Sequence, residues 1–300
     1  MSSARRGIVA ISVTGMLWAT IGISVRLLQD HADLDSAVIL FWRLVIATGA
    51  LALIVGADGV RSLRAEFGRA DRGARLLVVS TASIGFQLTY FYAVADVGVA
   101  VATLVTLGLA PVAAVSAESA RARQWPTPRT VAVLICALTG LALVSLSHTT
   151  DVVAPHPTRG IVLAVASGLL YAGSTLISRR LSGRLSPQAL TAGTTAIGMV
   201  LLLGPALAMG AAVPLTVPVV GGLLYLGLVT TVIAYMLFYL GLRTTPGGVA
   251  MVLTLLEPAT AVVLAAVLLA EPITLTSGTG ALLVLTAVAV LSLTPRASAP

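Results

Sequence analysis

The 300-residue chain is 58% hydrophobic and only 10% charged, with a mean hydropathy of +1.03. A soluble domain carries about 25% charged residues, so this composition excludes a soluble globular protein and indicates an all-α membrane protein. The net charge of +7 comes from 18 arginines and no lysine, gathered in short segments between apolar runs. That is the pattern of membrane topology and not of a nucleic-acid binder.

Arg5 and Arg6 precede an apolar run from Gly7 to Leu28. The run is too long for the core of a signal peptide, and no small-x-small site follows before Asp30. It reads as the first of ten membrane helices. The ten are Ile8–Leu28, Ser36–Val55, Leu76–Ala95, Val99–Ser119, Arg129–Ser147, Arg159–Ile177, Gln188–Ala208, Val219–Leu242, Val249–Leu269 and Leu275–Leu293. Each is near the 20 residues that a spanning helix needs. Only a tight link around Asp96 and Gly98 divides the third from the fourth. The basic segment from Arg61 to Arg75 reads as a solvated loop, with a lipid-touching amphipathic helix as the alternative. The single cysteine, Cys136, lies inside an apolar run, so no intrachain disulfide forms.

With the N-terminus in the cytoplasm, 15 of the 18 arginines fall on the cytoplasmic side. They include Arg61, Arg64, Arg69, Arg72 and Arg75, then Arg179, Arg180 and Arg184, and finally Arg296. The opposite side receives Asp30, Asp33, Asp35, Asp96, Asp151 and Glu271. This asymmetry places both termini in the cytoplasm of a multi-pass protein of the cell membrane. The arginine- and alanine-rich, lysine-free composition hints at a bacterial inner membrane.

The ninth run carries one carboxylate, Glu257, directly before Pro258. Counted from Val249 at about 1.5 Å per residue, it lies roughly 12 Å along the helix, near the bilayer midplane. An ionisable group at that depth is costly and faces protein or water. Pro258 has no amide hydrogen, so the Thr254 carbonyl one turn earlier loses its partner.

The chain repeats itself. Gly7, Gly15, Ala19 and Arg26 align without a gap to Gly160, Gly168, Ala172 and Arg179, and Trp18 meets Tyr171. Phe91-Tyr92 meets Phe238-Tyr239, Leu109 meets Leu256, and Pro111 meets Pro258. The expected organisation is one transmembrane domain over 1–300, with five-helix repeats at 7–148 and 159–295. An odd number of helices inverts the second half. Inverted repeats are the mark of alternating-access transporters, with the substrate near midplane between the halves.

Several short motifs at this spacing resemble the drug/metabolite transporter superfamily in its EamA-like branch. They are Phe41-Trp42-Arg43, Phe91-Tyr92-Ala93 with Pro111, Leu255-Leu256-Glu257-Pro258, and Glu271-Pro272. The resemblance implies ten helices, a central cavity open alternately to each side, and transport of small metabolites, often outward. The first half departs from it, with Ala110-Pro111 where the second has Glu257-Pro258. The acid that small multidrug-resistance relatives carry in their first helix is absent here, so a proton mechanism of that type does not carry over.

Trp18 and Tyr171 lie too deep for the interfacial aromatic belt, and they line the cavity or pack beside Gly15 and Gly168. Ser83, Gln87 and Tyr90 share one face of the third helix, offering substrate contacts or interhelical hydrogen bonds. Thr231, Tyr235 and Tyr239 form a second stripe, with Tyr239 read as a belt residue. Thr103, Thr106 and Thr254 either line the cavity or back-bond their own helices. Arg43 either snorkels toward Asp33 or Asp35, which is the favoured reading, or points inward as an anion contact. Glu257 is read as structural, accepting hydrogen bonds from a neighbouring helix, with a coupling role as the alternative. His31, His148 and His156 have no metal-ligand spacing, and no phosphate-binding glycine loop occurs, so no cofactor or metal is expected.

The expected function is a secondary transporter exporting small metabolites such as amino acids, as a monomer or homodimer in the lipid bilayer. Drug efflux or uptake by the same fold is the alternative. A membrane-embedded enzyme is remote, because only Glu257 and Arg43 offer themselves near midplane.

Overall fold

The computed structural model describes residues 3–68, 70–147, 155–268 and 272–293, with the side chains of 57–67 and 70 left aside. Arg61, Arg64, Arg69, His148, Asp151, Glu271 and Arg296 therefore lie outside the described residues or have undescribed side chains. Among the described residues the chain is all helix, with no strand.

In chain order the helices are α1 (Ser3–His31), α2 (Ser36–Phe67), α3 (Ala70–Ala122), α4 (Pro128–Leu146), α5 (Pro157–Ser182) and α6 (Pro187–Ala208). There follow α7 (Val217–Gly227), a π segment (Leu228–Ile233), α8 (Ala234–Leu242), α9 (Gly247–Thr254), α10 (Leu256–Leu268) and α11 (Leu275–Leu293). Taken as continuous stretches, nine of these among the described residues are long and apolar enough to cross a membrane. The surface agrees with that solvent: Leu53, Ile54, Val267 and Leu282 are all exposed. In water such side chains would form an adhesive patch, whereas in lipid they are at home.

Local chemistry sets the ends. Thr127 and Ser186 accept hydrogen bonds from the Thr130 and Ala189 amides, with proline at the next position. Proline there loses no intrahelical bond and fixes φ for the first turn. α3 runs 53 residues, about 80 Å if straight, far beyond a hydrocarbon core of about 30 Å. It is not straight. Gly98 has φ 79 and ψ 162, a left-handed conformation that glycine adopts without steric cost. Gly56 does the same in α2. Beyond it the backbone stays helical through Phe67, and α3 starts at Ala70, so most of the basic segment is helix and not the expected loop.

One other expectation needs correction: the eighth run is not one regular helix, because a π segment of six residues divides α7 from α8. The ninth run is interrupted where Pro258 leads one to expect it, between Thr254 and Leu256, one turn before the missing amide.

α3 packs along α5, α4 along α11, α2 along α6, and α1 on α8 and α10. Small residues permit the closest approaches. A Cβ on Gly140 would stand 2.6 Å from the Gly280 carbonyl oxygen, and one on Gly280 would stand 2.6 Å from that of Gly140. Here α4 and α11 meet backbone to backbone, as glycine allows inside a membrane. Gly15 lies against Leu256 and the Leu253 carbonyl, and Gly168 against Leu109 and the Thr106 carbonyl.

Candidate functional site

Both helix interruptions bear on one turn of α1. Gly15 lies against the Thr254 carbonyl, where α9 ends. Three residues on, the Trp18 indole Nε1 donates to the Thr230 carbonyl of the π segment at 3.2 Å. A π turn tilts its carbonyls out of the regular ladder, and such turns gather at functional sites.

Around Trp18 the rings close up. Its indole lies 5.2 Å from the Tyr235 ring and 5.4 Å from that of Phe238. Across the site Tyr171 stacks on Phe86 at 4.6 Å and 14°. The Tyr171 hydroxyl donates to Thr254 Oγ1 at 3.3 Å. A small cavity of about 10 Å³ lies among these rings, bordered also by Ser83, Ser174, Thr175 and Ser178. That is room for about one water. The Thr175 hydroxyl is buried and has no hydrogen-bond partner among the described residues. Aromatic faces with scattered hydroxyls suit a small ligand with an apolar body.

Arg43 reaches the same π segment as Trp18. Arg43 is 5% exposed, and its Nε donates to Thr231 Oγ1 at 2.9 Å, again on the π segment. Among the described residues its terminal N–H groups meet no acceptor. Glu257 is part-buried near the start of α10. It has no hydrogen-bond or ion-pair partner among the described residues. Arg43, Tyr90, Tyr171 and Tyr235 stand within its electrostatic reach.

These contacts correct three expectations. Arg43 does not snorkel to Asp33 or Asp35: the hydroxyl on the π segment draws it inward, and Asp35 instead caps the Ala37 amide. Glu257 accepts no hydrogen bond from a neighbouring helix among the described residues. Tyr239 is not a belt residue. It is 2% exposed and lies against Tyr235 and Phe238.

Of the residues singled out in the sequence, Trp18, Tyr171 and Tyr235 border the cavity. Thr254 joins them through Tyr171. Tyr90 is held by Thr103 at 2.7 Å and does not border the cavity. Gln87 is not brought in, because its amide donates to the Ser83 carbonyl of its own helix. Phe86, Phe238 and the hydroxyls of α5 were not foreseen. Ser174 and Ser178 stand four apart and on one face with Tyr171, a legible signal. The two phenylalanines carried none beyond apolarity.

A model of the EamA-like transporter family matches residues 5–146 and 158–293. The Bacillus subtilis (strain 168) protein "Uncharacterized transporter YwfM" is 32% identical over 211 residues, 70% of each chain. "Uncharacterized transporter YxxF" of the same strain is 27% identical over 80% of this chain and 76% of its own. A crystal structure of a protein 19% identical superposes with a TM-score of 0.79, covering 94% of this chain and 95% of the other, and shows a shared fold. Together with the long apolar helices, these matches describe a multi-pass membrane transporter. With the family model covering nearly its whole length, the chain belongs to the EamA-like transporter family.

Proposed function

We propose that the protein is a secondary transporter that exports small polar or amphipathic metabolites, such as amino acids, across the cell membrane. It works by alternating access between two inverted five-helix halves, 7–148 and 159–295, with ten crossings and both termini cytoplasmic. The break at Gly98 supports ten crossings, since it divides a helix far too long for one. The reciprocal contacts support the inversion. Gly15 and Gly168 are matched positions, and they rest on Leu256 and Leu109, which are matched as well.

The observation that carries the reading is the site between the halves. Trp18 and Arg43 of the first half meet the π segment and Tyr235 of the second beside two interrupted helices. Irregular backbone at membrane depth is tolerated where it lines a cavity, and transporters place substrate at such breaks. Counterflow of labelled amino acids in proteoliposomes tests it. Exchange above empty vesicles is expected, and none with any metabolite tried would overturn the reading.

A further inference from the structure

We propose that the cleft where α3 gives way to α4 binds an anionic phospholipid, with Arg123 holding the headgroup phosphate and Trp125 lying against the glycerol unit. The site is separate from the cavity among the rings and does not depend on what the protein carries. α3 and α4 each contain a stretch apolar enough to cross a membrane, so residues 123–127 between them lie at its surface. A cavity of about 340 Å³ opens there, within the usual range of small-ligand sites, about 300–1,000 Å³. Ser116 and Ser119 border it from the last turns of α3, and Arg123, Gln124, Trp125 and Pro126 border it from the link.

The turn presents Arg123 at a steric cost. The Arg123 amide donates to the Ala120 carbonyl at 3.3 Å, and the Gln124 amide to that of Ser119 at 3.1 Å. These are the paired bonds of a helix end whose next residue is left-handed. Glycine usually takes that place, because a Cβ there crowds its own backbone. Here it is Arg123, with φ 52, the one residue other than glycine with positive φ among the described residues. An arginine kept where glycine is easier points to a use for its side chain.

The lining specifies the ligand. The side chains of Ser116, Ser119, Arg123, Gln124 and Trp125 make no hydrogen bond or ion pair among the described residues. All five can donate, and no acid borders the cleft. Glu118, on the same turns of α3, is engaged elsewhere by the Gly247 and Gly248 amides. Donors gathered around one guanidinium complement an anion, and the planar guanidinium matches the oxygens of phosphate. Two features favour a lipid over a free phosphate. Trp125 is 95% exposed, at the level where the headgroup layer accommodates an indole. Val131 and Ile135, four apart on the first turns of α4, are exposed as well and offer an acyl chain an apolar face. On the topology proposed above this is the cytoplasmic leaflet, where anionic lipids meet basic pockets.

The test uses purified full-length protein in detergent, with bound lipid read by native mass spectrometry. The probes are phosphatidylglycerol and phosphatidylcholine of identical acyl chains, and glycerol 3-phosphate. The first phosphatidylglycerol retained should bind about tenfold more tightly than phosphatidylcholine, the low end of the range for a hydrogen bond to a charged group. Arg123→Gly is the deciding variant, because it removes the guanidinium and relieves the turn in one change. Its melting temperature in lipid-free detergent should equal or exceed the native value, while its preference for phosphatidylglycerol falls to within about threefold. A purely structural Arg123 would show the first effect without the second. Equal binding of the two lipids by the native protein, or an undiminished preference in Arg123→Gly, would overturn the assignment. Glycerol 3-phosphate binding as tightly as phosphatidylglycerol would also overturn it and leave a site for soluble phosphates. If the variant fails to fold, the two lipids on the native protein still decide.

Discussion

Trp18 is the side chain on which the two readings of the aromatic cluster part company. The ring is 7% exposed, touches Tyr235 and Phe238, and donates to the Thr230 carbonyl. Trp18→Ala removes all three contacts and leaves a hole, at a cost of about 3–5 kcal/mol. Trp18→Phe keeps a ring and loses the donor, at about 1 kcal/mol. Cys136 offers a convenient reporter of unfolding. It is the only cysteine, half-buried, with its thiol directed at the Leu283 carbonyl at 3.3 Å. A thiol-reactive dye therefore reads the folded fraction without depending on tryptophan emission. Flux per folded molecule is the second reading. A ring contact made during the transport cycle and worth about 1.4 kcal/mol changes the rate tenfold. We expect Trp18→Ala to lose flux by at least about tenfold at equal folded amount, and Trp18→Phe to retain much of it. Native flux from the surviving folded fraction of Trp18→Ala would refute the reasoning and leave Trp18 a packing residue.

Four further outcomes are expected. Gly280→Ala drives a methyl group to 2.6 Å from a backbone oxygen and should cost about 1–3 kcal/mol of stability. Gly204→Ala, where nothing lies within 4 Å, should be neutral in the same dye assay. Glu118 accepts from the Gly247 and Gly248 amides at 2.8 and 3.0 Å, at the start of α9, with Arg179 at 3.6 Å. Glu118→Gln should cost about 1 kcal/mol, because charge at a helix N-terminus is favourable. Its melting temperature should also respond less to added salt than the native value, and an unchanged salt response would count against the contact. Reporter fusions in the segment near Asp151 and at the C-terminus should report opposite faces of the membrane, and a common face would rule out five crossings in the first half.

What could be read from the residues depended on whether the cause was local. Pro258 announces the break in the ninth run because a missing amide acts within one turn. The depth of Trp18 and Tyr171 follows from counting along a helix, and both border the cavity. The π segment is different. Thr230 and Thr231 sit in a run indistinguishable from an ordinary helix, and no residue in it marks a π segment. Arg43 was misread for the same reason. Its nearest charges in the sequence are Asp33 and Asp35, whereas its partner, Thr231, stands 188 residues away. Tyr239 looked interfacial by position, but its burial depends on α5 and α6 closing over it. The helical backbone of the basic segment beyond Gly56 gave no such long-range excuse.

The space among the rings is about 10 Å³, smaller than any metabolite. A ligand must therefore meet a rarer arrangement in which Trp18, Tyr235 and Tyr171 have drawn apart. Affinity then becomes a product. If the open form is populated to about 1%, apparent binding is about a hundredfold weaker than the intrinsic contacts would give. That penalty has a use. A pathway that stays shut unless a ligand offsets the cost of opening leaks little when empty, so tightness of closure and weakness of binding become two readings of one equilibrium. A mutation that loosens the rings should raise affinity and basal leak together, in proportion.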